Sequence, residues 1–128
     1  MDEKKILVVD DETAILNLLN QVFSKHGYTV FTSDNGDEAL KVIEDENIQV
    51  MFFDLQMPDM TGIELCRAVK KKKPMTIIYA ITGYASLFEL SECLVAGFED
   101  YFKKPVNVSK LVETAKTSFE KTDRWKNL

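Results

Sequence analysis

Short apolar runs alternate along the chain with longer stretches whose apolar residues recur every three or four positions. Ile6-Leu7-Val8-Val9 is apolar at every position, which suits a strand covered by helices on both faces. From Glu12 to His26, Ile15, Leu18, Leu19, Val22 and Phe23 fall at helical spacing, and Gly27 can end that helix. Tyr28 to Thr32 reads as a second strand, and Asp37 to Glu46 as a second helix carrying Ala39, Leu40 and Ile43. Val50-Met51-Phe52-Phe53 forms a third strand ending at Asp54. Ile63 to Lys73 then makes a third helix, with Leu65, Cys66 and Val69 on one side. Its closing Lys70–Lys73 run reads as a solvated helix end, where the macrodipole favours positive charge. Thr76 to Ile81 is a fourth strand, Ala85 to Ala96 a fourth helix ended by Gly97, and Asp100 to Lys103 a short fifth strand. Asn107 can cap a fifth helix whose inner face carries Val108, Leu111, Val112, Ala115 and Phe119. Thr122 to Leu128 reads as a polar tail, leaving residues 1–121 as one domain.

Five strand–helix units predict an α/β fold with a parallel five-stranded sheet between two helical layers. Right-handed crossovers leave few ways to wind it. The most continuously apolar strands, ending at Val9 and Phe53, belong in the middle, and the second and fifth look like edges. The expected strand order is 2-1-3-4-5, one of the two common doubly wound orders.

Composition changes this picture little, but it excludes some functions. At 128 residues the chain has the size of one ordinary domain. With 45% hydrophobic residues it can bury a core without disulfides. A net charge of −5 argues against a nucleic-acid surface. No apolar run approaches the roughly 18 residues of a membrane span, and the charged start lacks a secretory pattern. Cys66 and Cys93 have no metal-binding spacing and read as reduced thiols, so a cytoplasmic setting is expected.

The candidate chemistry gathers at one edge. In a doubly wound sheet, ligands bind beyond the carboxyl ends of the strands at the point where the winding reverses. Asp10-Asp11 follow the first strand, Asp54 ends the third, Thr82 the fourth and Lys104 the fifth. Two unit charges about 4 Å apart repel by roughly 4 kcal/mol at an effective dielectric of 20, so clustered carboxylates call for a cation. Mg²⁺ suits carboxylates, waters and phosphate oxygens, and one of Asp10 and Asp11 can bind it directly, the other through water. Mn²⁺ can substitute. Lys104 can offset the remaining charge. A carboxylate beside a cation, a lysine and a hydroxyl makes a phosphoryl-acceptor site.

The motifs ILVVDDE, FFDLQMPDMTG, YAITGYA and DYFKKP stand in the order and spacing of response-regulator receiver domains. Each is modest alone, but all four in register at predicted strand ends are specific, and the chain resembles that family over about residues 4–121. The resemblance implies a three-layer, flavodoxin-like (βα)5 fold that acts as a phosphorylation switch. It implies Asp54 as phosphoacceptor, with Asp10, Asp11, Asp54 and the Gln56 backbone carbonyl as Mg²⁺ ligands. Thr82 and Lys104 would bind the phosphoryl group, and Tyr101 would be the rotating aromatic of the switch. Gln56 and Tyr84 would flank the phosphoryl group and tune its lifetime. The family's lysine immediately precedes proline, which selects Lys104 over Lys103. The implied donor is a histidine kinase or phosphotransfer protein. The implied output is a partner or attached domain reading the fourth helix, fifth strand and fifth helix, and a phosphorylation-dependent homodimer is compatible with this. On the fourth helix Leu87 and Leu90 would point outward, with Phe88 adding to them. No direct nucleic-acid or membrane contact is implied, and the domain is regulatory: it assists only its own phosphorylation and dephosphorylation.

Each residue also has a plainer use: Asp10 and Asp11 as helix caps, Tyr101 as edge packing, Leu87 and Leu90 as sheet packing. A flavin-phosphate carrier is disfavoured, because the first strand leads into two acids that would repel the phosphate. Mg²⁺ phosphatases with an Asp nucleophile usually carry a DxD pair after the first strand and a covering cap, neither of which is here. A receiver unable to accept phosphate is disfavoured by the complete residue set.

Overall fold

The computed structural model describes residues 3–83 and 86–128, apart from the side chain of Phe88. Strand and helix alternate from end to end: β1 (Lys5–Val9), α1 (Thr13–Lys25), β2 (Thr29–Ser33), α2 (Gly36–Asp45), β3 (Val50–Asp54), α3 (Gly62–Lys72), β4 (Ile77–Thr82), α4 (Leu87–Ala96), β5 (Asp100–Lys103) and α5 (Val108–Lys126). The sheet is parallel with order β2-β1-β3-β4-β5, the flavodoxin-like winding expected.

The period of two divides the core into two layers. Leu7, Val9, Met51, Phe53, Ile78 and Ala80 face α2, α3 and α4, meeting Ala39, Ile43, Leu65, Val69 and Cys93. Ile6, Val8, Phe52, Tyr79 and Ile81 face α1 and α5, meeting Leu19, Phe23, Leu111, Ala115 and Phe119. On that side Phe52 stacks between Phe23 and Tyr79, at 5.3 Å from each. Burial on both faces is why β1, β3 and β4 read as uninterrupted apolar runs.

Four helices begin at a side-chain cap: Asn35, Thr61, Ser86 and Asn107 each accept the backbone N–H three residues on. Thr61 and Glu64 complete a capping box. Gly97, at φ 116°, ends α4 in the left-handed region.

Three expectations need correction. Tyr28 does not open β2; its N–H returns to the Phe23 carbonyl at 3.2 Å and closes α1. The segment from Thr122 is not a tail. It continues α5 to Lys126, because Thr122 is buried and Trp125 packs against the α1–α5 core layer. In the Lys70–Lys73 run only Lys71 and Lys72 are freely exposed. Lys70 donates to the carbonyls of Pro74 (2.7 Å) and Thr76 (2.9 Å), and Lys73 to that of Ile43 (2.6 Å) near the end of α2. Lys73 thus satisfies a carbonyl that the end of α2 leaves open, and Lys70 pins the connection between α3 and β4. Cys66 and Cys93 are free and buried, and burial pushes the Cys66 thiol up to about 12.

Candidate functional site

At the carboxyl edge of the sheet, carboxylate oxygens of Asp10, Asp11 and Asp54 lie within 4.8 Å of one another. Asp10 follows β1 directly and Asp54 is the last residue of β3, adjacent central strands, so the winding brings them together. Both are buried, and Asp11 is exposed. Backbone amides orient the two buried acids: Glu12 N–H donates to Asp10 Oδ1 at 2.8 Å, and Gln56 N–H to Asp54 Oδ1 at 3.2 Å.

The loop after β3 is built to hold Asp54. Asp59 turns the chain at φ 69°, a conformation Asp tolerates better than most residues. Gly62 then lets α3 start against the strand, because a methyl group there would overlap the Asp54 carbonyl oxygen. The Gly62 N–H donates to Leu55 O at 3.0 Å, locking that approach.

Lys104 directly follows β5, and its peptide bond to Pro105 is cis. Its Nζ lies 3.1 Å from Asp10 Oδ2, 3.6 Å from Asp54 Oδ2 and 2.9 Å from Glu12 Oε1. Lys103, its neighbour, is exposed. Thr82 is fully buried at the end of β4, and its carbonyl accepts the Lys104 N–H at 2.7 Å. Tyr101 pairs in register with Ala80 and is half-buried against the α2–α4 layer. Ala80 and Thr82 share a sheet face by alternation, so Thr82 and Tyr101 occupy the same side of neighbouring strands. Gln56 is exposed beside Asp54, and Tyr84 lies outside the described residues. On α4, Leu87 is 84% exposed and Leu90 half-buried, while Leu94 and Val95 extend the apolar surface with 58% and 81% exposure.

The electrostatics are unbalanced. Burial pushes Asp54 up to about 7, with the charge of Asp10 adding to it. Asp10 is raised as well, by burial above all. Burial pulls Lys104 down, but the neighbouring carboxylates of Glu12 and Asp10 outweigh this and leave it raised. One lysine thus serves three acids, and Asp10 Oδ2, fully buried, receives no well-directed hydrogen bond. Such an atom costs free energy unless a further cation meets it. Closely set carboxylate oxygens, one of them buried without a hydrogen bond, fit a hard divalent ion.

The model of the response regulator receiver domain matches residues 6–116. The chain belongs to that family. It is 33% identical over 116 residues to Sporulation initiation phosphotransferase F of Bacillus subtilis, covering 91% of this chain and 94% of that one. It is 39% identical over 102 residues to Alkaline phosphatase synthesis transcriptional regulatory protein PhoP of the same organism, covering 80% of this chain and 42% of that one. Among solved structures, a CheY-like receiver domain protein from Methanospirillum hungatei superposes with a TM-score of 0.92 at 37% identity, covering 96% of this chain and 98% of that one. The receiver spans less than half the length of three curated relatives that it matches, 28%, 42% and 46%. A receiver is a regulatory domain of two-component signalling, and no described helix here is long and apolar enough to cross a membrane.

Glu12 is the site residue that the sequence reading passed over, treating it as the start of a helix. Its signal was present: a third acid directly after Asp10-Asp11, at a helix-capping position where Glu is a poor choice.

Proposed function

We propose that this receiver is a cytoplasmic phosphoacceptor switch, phosphorylated on Asp54 by a histidine kinase or phosphotransfer protein. The observation that carries the reading is the meeting of Asp10, Asp11, Asp54 and Lys104 at the carboxyl edge of the sheet. Asp10, Asp11, Asp54 and the Gln56 carbonyl would hold Mg²⁺, which when bound neutralises charge on carboxylate and phosphoryl oxygens. An Asp54 carboxylate oxygen forms a bond to phosphorus as the phosphorus–nitrogen bond of a phosphohistidine breaks. The electron pair stays with the imidazole. Lys104 and the Thr82 hydroxyl bind the transferred oxygens, and Glu12 N–H and Gln56 N–H hold Asp10 and Asp54 in place. Water attack on phosphorus later releases phosphate and restores the carboxylate, at a rate that Gln56 and Tyr84 tune.

The signal leaves through β4 and β5. Thr82 drawn toward the phosphoryl group vacates space on the face where Tyr101 packs, and Tyr101 turns into it. The equilibrium moves only as far as the phosphorylated site prefers one state over the other. The α4–β5–α5 surface, with Leu87 and Leu90 exposed or half-exposed, then meets an output partner or domain.

Intact mass after incubation with acetyl phosphate tests the acceptor. We expect a gain of about 80 Da that requires Mg²⁺ and is absent from Asp54→Asn, since phosphoryl transfer is mostly positioning and charge stabilisation around that one oxygen. An adduct that persists in the variant places the phosphate elsewhere and overturns the reading.

A further inference from the structure

Glu12 stands at the capping position of α1 but caps nothing, unlike Asn35, Thr61, Ser86 and Asn107 at the other four helices. Its carboxylate reaches across the fold and accepts a hydrogen bond from Lys104 at 2.9 Å. Lys104 stands 3.6 Å from Asp54 Oδ2, longer than the roughly 2.7–2.9 Å of a charge-assisted hydrogen bond. The lysine is therefore bonded to Glu12 and not to the acceptor.

Solvent access separates the partners of Lys104. The side chains of Asp10 and Asp54 are 1% and 6% exposed, whereas that of Glu12 is 58% exposed. Glu12 can give up the lysine and return to water, and neither buried acid has that option. Its starting point is fixed, because its own N–H is tied to Asp10 Oδ1 at 2.8 Å.

We infer that Glu12 is a latch on Lys104, a positioning residue that holds the ammonium off Asp54 until an anion on Asp54 draws it away. The inference rests on the phosphoacceptor reading and adds a control to it. Any tetrahedral anion arriving at Asp54 must compete with Glu12 for the lysine, and its apparent affinity falls by the fraction of molecules in which the latch is closed. An exposed ion pair supports a penalty of about twofold to fivefold.

The test uses fluoroberyllate, a phosphoryl mimic, titrated calorimetrically in saturating Mg²⁺. Glu12→Gln removes the charge at constant length. Glu12→Asp keeps the charge but withdraws the carboxylate from Lys104 by one methylene, which should break the 2.9 Å contact. Both variants should bind about twofold to fivefold tighter than wild type. In Mg²⁺-free protein, the ¹⁵N ammonium resonance of Lys104 should be visible in wild type and lost or shifted in both variants. Unchanged affinity in both variants overturns the latch while leaving the acceptor reading intact. Tightening in Glu12→Gln alone also overturns it, since charge and not contact would then be acting. Wild-type protein that takes up no fluoroberyllate overturns the acceptor reading, and the latch with it.

Discussion

At Asp54, burial and the neighbouring charge of Asp10 raise the carboxyl to about 7, against 3.8 for an ordinary aspartate. Without a divalent ion the folded protein therefore holds this proton more tightly than the unfolded chain does. Between about pH 4 and pH 7 the folded state binds the extra proton, so stability falls as pH rises through that window and levels off above it. One proton sets a slope of at most about 1.4 kcal/mol per pH unit. Asp54→Asn removes the titrating group and one member of the repelling pair. In chelator-treated protein the variant should be the more stable form near pH 8, with its advantage shrinking toward pH 4. Urea unfolding of both proteins at several pH values measures this difference, and the other carboxylates largely cancel from it. An advantage that grows toward acid would show that Asp54 is ionised at low pH and that Lys104 already neutralises it. The site is thus strained as an apo arrangement, as expected where buried acids are gathered at a proposed cation site.

Among the elements, the β3–α3 connection contributes most to the site. The apolar run Val50–Phe53 made β3 legible, whereas the Thr61–Glu64 capping box, which starts α3 at Gly62 and not at the expected Ile63, is seen in the structure. The sequence did not disclose why Gly62 is glycine, because its reason is a backbone carbonyl of another segment. Replacing it with alanine forces α3 away from Asp54. Gly62→Ala should cost about 1–3 kcal/mol in urea unfolding, the usual range for overpacking, despite alanine's better helix propensity. It should also reduce the acetyl-phosphate adduct by moving the acceptor. A variant of wild-type stability would mean that the loop relaxes freely around the methyl group. Similar long-range causes explain other departures from the sequence reading. Lys73 looked like a solvated charge because its carbonyl partner, Ile43, lies thirty residues away on α2, whereas Lys70 folds back onto the loop that follows its own helix. Thr122 and Trp125 looked like tail because local polarity says nothing of the core layer beneath them. Periodicity reports which face is buried, and not against what.

For the whole molecule, the sheet separates two ends with different duties. The acids and Lys104 lie at the carboxyl edge, while Trp125 packs near Ile48, Met75 and Thr76, which precede β3 and β4 at the opposite edge. The five residues of β3 span about 16 Å at the usual strand rise, well beyond a Debye length of about 8 Å at physiological salt. The proposed switch residues Thr82 and Tyr101 lie on β4 and β5, so the proposed signal runs sideways across the sheet and not down the strands toward this tryptophan. Trp125 is the sole tryptophan of the chain, so its emission reports on one place only. It should follow urea unfolding with a large change and stay nearly constant when Mg²⁺ is titrated into the native protein. Calorimetry in the same titration supplies the binding signal that the fluorescence lacks. If Mg²⁺ shifts the emission as binding saturates, the rearrangement reaches the far edge, and the output surface extends beyond α4, β5 and the start of α5. If it does not, the amino edge is a rigid base toward Mg²⁺ binding, and the rearrangement that the ion causes is confined to the half of the sheet that holds the acids.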